Sequence, residues 1–410
     1  MKFMGIDWKD KGYTVRIIDR EGKDISGAFE VEKKKEDFSK LMEKIRKHCK
    51  AEEVLIGIER ERDVIVDYLL AHGYKVFLLC PNMIKSFKER HSVSGQYTDD
   101  LDSYVIADAI RTDRKRLTFI KPRNDKTRKI EFLLRHRRKA IEDKNRLMNR
   151  LTAYIKEYFP VFLDCFSDIS RPTALSFLKV YPSYKDIKDL SKEDIRGFLK
   201  KHNYYRKIGV SKIWKAINKE QIKVDSIVEK ERSRSALFLI KKLEMLNEEI
   251  KEYEQELTNL LEDDEDAEVF KSLPGVADVL TPGLMIIFGE NRDRYKNAQE
   301  INSLCGMVPL TKSSGKWENH LFRFGCNLFY RNILTKLAYT SLNESKWARA
   351  YYNSKRAEGK SHYHALRCLA RIWVKVAFAL WKKREKYDEN KHMAAIQKHN
   401  INNKLVRRSA

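Results

Sequence analysis

The pattern of apolar and polar positions changes character twice along the chain. Over roughly the first 119 residues, short apolar runs alternate with helical spacing. Residues 2–8 read as a strand and 14–19 and 28–31 as two more, with Glu21-Gly22-Lys23 supplying a turn. Residues 34–49 then place apolar side chains at helical spacing, and 54–59 form a short apolar strand. Residues 64–71 are helical up to Gly73, and 75–80 form a strand stopped by Pro81.

Farther on, the period lengthens. Positions 130, 134, 137, 141, 144, 148, 151, 155 and 158 step by four and three, and all but Arg137 and Lys144 are apolar. Ala236, Leu239, Leu243, Leu246, Ile250, Tyr253, Leu257 and Leu260 keep the same rhythm unbroken. A 3.5-residue repeat over three heptads predicts coiled-coil seams, which serve pairing within one chain or across a dimer equally well. Between them, Ser191-Lys192-Glu193-Asp194 predicts a capping box. The run Glu262-Asp263-Asp264-Glu265-Asp266 ends the second helix, and an apolar helix over 365–381 closes the part that follows.

The first stretch, βββαβαβ followed by a helix, has the element order of an RNase H-like domain. The expected fold is therefore α/β at the front and α behind. Residues 1–125 form the first domain, 126–265 a helical and coiled-coil region, 266–386 a mainly helical C-terminal domain, and 387–410 a basic, flexible tail. Gly and Pro make up only 24 of 410 residues, about half the usual share, which agrees with a helix-rich build.

Lys and Arg outnumber Asp and Glu by 83 to 59, a formal charge of +24. That excess points to a polyanionic partner, because each basic residue set against a phosphate releases condensed counterions. The charge is spread over most of the chain instead of lining one amphipathic helix, so nucleic acid is expected and a membrane surface is not. Residues 111–150 alone hold 16 Lys/Arg against 5 Asp/Glu, including Arg135, Arg137, Arg138 and Lys139. These are candidates for tracking a phosphate backbone, with a solvated helix face as the plain alternative. No apolar run is long enough to span a bilayer and the start lacks a secretory leader, so a cytoplasmic location is expected. The six cysteines lie far apart, without a C-x-x-C pair, and read as buried thiols.

Candidate chemistry sits at the strand ends. Asp7 ends the first strand and Glu59 the fourth; if these strands are parallel neighbours, both carboxylates emerge at one edge. Asp99 and Asp102, three apart at a helix start, add two more. Four converging carboxylates repel unless a cation sits among them, and hard oxygen donors suit Mg²⁺ or Mn²⁺.

Gly5-Ile6-Asp7, Ile58-Glu59 and Thr98-Asp99-x-x-Asp102, followed by Pro274-Gly275-Val276, Gly306-Met307-Val308-Pro309 and Ser314-Gly315, resemble the DEDD transposases of insertion-sequence family 110. These are recombinases guided by a bridge RNA, and Piv-type invertases are similar. The resemblance implies a RuvC-like domain whose Asp7, Glu59, Asp99 and Asp102 bind Mg²⁺. It further implies that Ser314 attacks DNA and becomes covalently joined to it, with Ser313 the neighbour open to confusion. It also implies a structured noncoding guide RNA, target and donor DNA as partners, and a dimer assembling to a tetramer in a prokaryotic, nucleoid-associated setting. Residues 322–331 keep Gly325 and Arg331 of the family pattern but are more apolar than its basic run.

On composition alone Ser314 lies in a turn, Lys312-Ser313-Ser314-Gly315. Pro274-Gly275 reads as a structural turn, with a phosphate-binding helix-hairpin-helix turn as the alternative. The residues also fit a nuclease in which the acidic tetrad activates water without a covalent intermediate, or a binder without catalysis.

Overall fold

A computed structural model describes residues 1–48, 50, 53–91, 99–117, 119–120, 124–203, 207–219, 222, 224–277, 279–314 and 317–395. The chain divides into two compact units, residues 1–123 and 124–410. Among the described residues no helix is long and apolar enough to cross a membrane.

The first unit runs β1 (Lys2–Trp8), β2 (Gly12–Ile18), β3 (Phe29–Glu32), α1 (Lys35–His48), β4 (Val54–Ile58), α2 (Val64–Ala71), β5 (Lys75–Leu78), α3 (Pro81–His91) and α4 (Asp99–Asp113). Its sheet has the order β3-β2-β1-β4-β5. β2 and β3 join antiparallel, whereas β1, β4 and β5 are parallel. Every residue of β4 is buried, as a central parallel strand covered on both faces requires. Met4, Ile6, Ile56 and Ile58 pack with Phe38, Leu41, Ile65 and Leu69 on one face. Phe3, Leu55 and Phe77 pack with Val105, Ile106 and Ile110 of α4 on the other.

Two glycines set how closely α4 rides on the sheet. A Cβ at Gly5 would lie 1.9 Å from the Ser103 carbonyl oxygen, and one at Gly57 would lie 2.2 Å from Ile110 Cδ1. Gly5 and Gly57 are register partners, so the helix crosses β1 and β4 together over a floor without side chains.

The second unit is built on α5 (Asp125–Tyr158), which is followed by α6 (Val161–Cys165), α7 (Pro172–Val180), α8 (Tyr184–Ile187), α9 (Lys192–Lys201), α10 (Lys207–Ile217) and α11 (Ser226–Leu260). α5 and α11 pair within the chain and run antiparallel, as the ion pairs Lys129–Glu256, Arg137–Glu254 and Arg232–Glu157 establish. Each helix is about 50 Å long. Met148, Leu151 and Ile155 meet Leu239, Ile240 and Leu243 at one end, where α6, α7, α9 and α10 complete a core. Ile130, Leu133 and Leu134 meet Leu257 and Leu261 at the other end, inside the core of the C-terminal layer. The polar seam residue Arg137 finds Glu254 across the pair, with Nη2 donating at 2.6 Å and Nε at 2.9 Å. Ser191 caps α9 through reciprocal bonds with Asp194.

The C-terminal layer contains α12 (Glu265–Lys271), α13 (Leu280–Phe288), α14 (Ala298–Leu304), the hairpin β6 (Leu310–Ser314) and β7 (Trp317–Leu321), α15 (Leu328–Glu344), α16 (Lys346–Ala357) and α17 (His362–Lys383). The acidic run acts as expected: α11 ends before it, Asp263 takes a left-handed conformation, and Asp264 caps α12. Two expectations are corrected. The packed chain continues past residue 386, because Tyr387 N–H donates to Ser272, its hydroxyl accepts from Trp347, and Met393 still touches the core. Residues 396–410 of the expected tail lie outside the described residues. Of the thiols, Cys165 and Cys305 are buried but Cys80 is exposed; Cys49 is not described.

Candidate active site

β1 and β4 are parallel neighbours, paired from Lys2↔Val54 to Ile6↔Ile58. Asp7 and Glu59 are the next residue on each strand, so they stand side by side at the carboxyl edge of the sheet. Side chains alternate across a strand, which puts both carboxylates on the face of Gly5 and Gly57, the face covered by α4. Ser103 and Ala107 lie over Gly5, while Arg114, just past the helix, lies over Phe3. α4 therefore runs against β1 and carries its first turn toward Asp7. One residue farther on, the Arg60 guanidinium lies 3.5 Å from the Trp8 ring centroid and ties the two strand ends together.

Asp102 stands in that first turn. The Lys88 ammonium of α3 lies 2.6 Å from its carboxylate and donates to Oδ2. Oδ1, at the same separation, is buried and accepts no aligned hydrogen bond. Asp99 opens α4, but its side chain lies outside the described residues, as does Thr98. Among the described residues no three carboxylate, imidazole or thiol side chains gather closely enough to hold a metal ion. Asp7, Glu59 and Asp102 thus share an edge without forming a closed cage, and Lys88 already neutralises one of them. The donor set fits a hard divalent ion: all are carboxylate oxygens, and buried Asp102 Oδ1 accepts no aligned hydrogen bond although the Lys88 ammonium lies 2.6 Å away.

Ser314 is the last residue of β6, a strand where the residue composition predicts a turn. It pairs with Trp317 across the hairpin. Ser314, Lys312, Trp317 and Asn319 share one face of the ribbon; Ser313 lies on the other with Thr311, Glu318 and His320. Only the Ser313 face holds a carboxylate and an imidazole, with Glu318 and His320 3.7 Å apart. All ten side chains of the hairpin are exposed.

The base of the hairpin is anchored by arginine. Arg331, nine-tenths buried, donates through Nη2 to the carbonyls of Gly306 and Arg323. Gly306 has φ +64° and no room for a side chain, since a Cβ would fall 2.1 Å from that same Nη2. Burial and neighbouring Cys326 push the Cys305 thiol up to about 12. At Pro274-Gly275 the Gly275 N–H donates to Glu344 at 2.6 Å, so the turn spends this donor inside the protein.

Of the basic candidates, Arg137 faces α11. Arg135 pairs with Glu131 and Arg138 with Glu142, and both lie 5.5 Å from the Phe329 ring. Lys139 is exposed.

Residues 4–160 match the DEDD transposase profile of IS110 elements, and residues 267–353 match the transposase profile of the IS116/IS110/IS902 family. The chain belongs to the IS110 transposase family. It is 24% identical to a mini-circle putative transposase for IS117 from Streptomyces coelicolor, covering 96% of this chain and 97% of that one. It is 25% identical to a 44.8 kDa protein of insertion element IS116 from Streptomyces clavuligerus, covering 92% and 94%. A 42 kDa protein of insertion element IS900 from Mycobacterium paratuberculosis is 23% identical over 77% of this chain and 79% of its own. This IS110-family transposase is therefore an enzyme acting on DNA, and its acidic edge lies within the first matched segment and its Ser314 hairpin within the second.

Lys88, Gly57 and Phe322 were not singled out by sequence reasoning, and Gly5 entered only as part of Gly5-Ile6-Asp7. Spacing alone carries no signal for Lys88, because its partner is set by how α3 docks on α4. Gly5 and Gly57 do carry one: a glycine two residues before a strand-end acid, repeated on two strands.

Proposed function

We propose that this transposase cleaves and rejoins DNA through a phosphoserine bond to Ser314, in a RuvC-like setting where Asp7, Glu59, Asp99 and Asp102 hold divalent metal. The observation that carries the reading is the side-by-side exit of Asp7 and Glu59 onto the face where the first turn of α4 brings Asp102. The sheet order and strand polarity support an RNase H-like domain. Mg²⁺ or Mn²⁺ bound there would supply charge neutralisation and Lewis acidity at the phosphodiester.

In the covalent step the Ser314 oxygen attacks phosphorus, its proton passes to a base, and the bond from phosphorus to one sugar oxygen breaks. That oxygen leaves as a hydroxyl after taking up a proton. Rejoining is the same exchange in reverse on a new end, so phosphodiester bonds are conserved and no energy source is needed. A serine hydroxyl needs activation at neutral pH, and among the described residues its own ribbon face offers only Lys312, Trp317, Asn319, Leu310 and Leu321. A proton acceptor brought by the acidic edge or by a second subunit would complete the step, which favours several active sites meeting in a dimer or tetramer.

The net charge of +24 and the family resemblance support a structured guide RNA as second partner, with base pairing reading the sequence and the protein reading shape and phosphate. The lack of a base on the Ser314 face also favours a second reading, a metal-dependent nuclease that uses water as nucleophile. Denaturation of a reaction with Mg²⁺ and DNA separates the two. Protein-linked DNA that disappears in Ser314→Ala supports the first; metal-dependent cutting with no trapped adduct supports the second.

A further inference from the structure

We propose that Arg331 and Arg367, gathered on the ring of Phe322, form a phosphate subsite for the DNA strand at the base of the Ser314 hairpin. The two guanidiniums come from α15 and α17 and lie 4.6 and 4.7 Å from the same ring centroid. Some arginines of this unit meet carboxylates, as Arg137 does with Glu254 and Arg292 with Asp266. Here neither arginine has a carboxylate partner among the described residues. Arg331 spends Nη2 on backbone carbonyls and leaves its buried Nε without an acceptor. Arg367 makes no hydrogen bond among the described residues. Burial and the charge of Arg331 lower its pKa, the sign of a cation short of a counter-charge.

Contact with the ring offsets part of this cost but leaves guanidinium N–H donors unused. The planar fork of Arg367 matches phosphate oxygens in bidentate fashion, with Arg331 adding its charge behind it. Phe324, 80% exposed and edge-on to Phe322 at 4.8 Å, offers a stacking surface beside it. The apolar character of residues 322–331 thus does not argue against nucleic acid, since the aromatic rings array the arginines.

The place of the pair also favours DNA. Phe322 follows Leu321, which pairs with Leu310, and Ser314 pairs with Trp317 four residues up the ribbon. That is about 14 Å, or about four base steps if the ribbon lies along a duplex. This register rests on the proposed role of Ser314; the subsite itself rests only on the unpaired arginines and on action upon DNA.

The test reads binding without cleavage, so it stands apart from the fate of Ser314. Full-length Arg367→Gln, Arg367→Lys, Phe322→Leu and, as a distant charge control on α10, Lys215→Gln are titrated with a random-sequence DNA duplex and with a single-stranded RNA of the same length across a salt series. Arg367→Gln should bind about tenfold more weakly and reduce the slope of log affinity against log salt by about 0.9. Phe322→Leu, with charge unchanged, should also weaken binding several-fold, as should Arg367→Lys, which keeps the charge but loses the fork. Melting curves identify any variant that fails to fold, and the comparison then rests on the folded ones. Losses in Arg367→Gln no larger than in Lys215→Gln, with Phe322→Leu and Arg367→Lys like the parent, would overturn the subsite. So would a loss confined to single-stranded RNA of the same length.

Discussion

The ammonium of Lys88 lies 2.6 Å from the carboxylate of Asp102, with both side chains more than three-quarters buried. A cation of this chain therefore stands where a carboxylate proposed to bind metal needs its charge balanced. Removing it should free the acid for a divalent ion at a cost in the ion-free protein. Lys88→Met is expected to lose about 1–3 kcal/mol of stability without metal, the cost of leaving Asp102 unpaired. It should bind Mn²⁺ several-fold more tightly and recover its melting temperature on adding Mn²⁺. Electron paramagnetic resonance of free Mn²⁺ and paired melting curves check both; equal Mn²⁺ affinity in parent and variant would mean that Lys88 and the ion do not compete.

Gly5 and Gly57 should respond differently to alanine. The new Cβ at position 5 meets backbone, the Ser103 carbonyl oxygen, whereas at position 57 it meets Ile110 Cδ1, the end of a side chain that can turn. Gly5→Ala should therefore displace the first turn of α4, cost more than the usual ~1–3 kcal/mol of overpacking, and abolish DNA cutting. Gly57→Ala should fall within that range and keep measurable activity. Denaturant melts and a cleavage assay rank the two.

Much of the first unit was readable from short apolar runs bounded by Gly and Pro: β1 and α2 have the ends that the pattern predicts. The heptads of α5 and α11 were equally plain, but their pairing within one chain depends on the fold of α6–α10 between them. The hairpin bearing Ser314 was not legible. All ten of its side chains are exposed, so no alternation of buried positions marks the strands, and Lys-Ser-Ser-Gly has turn composition. The Lys88–Asp102 pair and the arginines on Phe322 are tertiary contacts that no local spacing encodes.

The basic run on α5 should divide by partner. Arg137 is held by Glu254 in the helix pair, so Arg137→Ala should lower stability by about 1–3 kcal/mol and leave the salt dependence of DNA binding unchanged. Exposed Lys139, changed to Gln, should leave stability alone; if it meets a phosphate, it should lower the salt slope by about 0.9. A melt and a binding series on each variant decide between structural and phosphate roles.

Thiol chemistry provides a check on the packing. Burial pushes Cys165 and Cys305 up to about 12, so both remain protonated thiols from pH 7 to 10 and become thiolates only as pH rises through that value. Native protein treated with iodoacetamide at pH 8 should be alkylated at exposed Cys80 and spared at Cys165 and Cys305. Peptide mass mapping reads the pattern, and early labelling of Cys305 would contradict the packing beneath the hairpin.

The central claim is that the hydroxyl on the Lys312 face of the ribbon, not its neighbour on the His320 face, takes the phosphate. Trapping protein-linked DNA from a metal-containing reaction, with Ser314→Ala and Ser313→Ala side by side, tests it directly. An adduct is expected in the parent and in Ser313→Ala and none in Ser314→Ala. An adduct that persists in Ser314→Ala, or that vanishes only in Ser313→Ala, would contradict it.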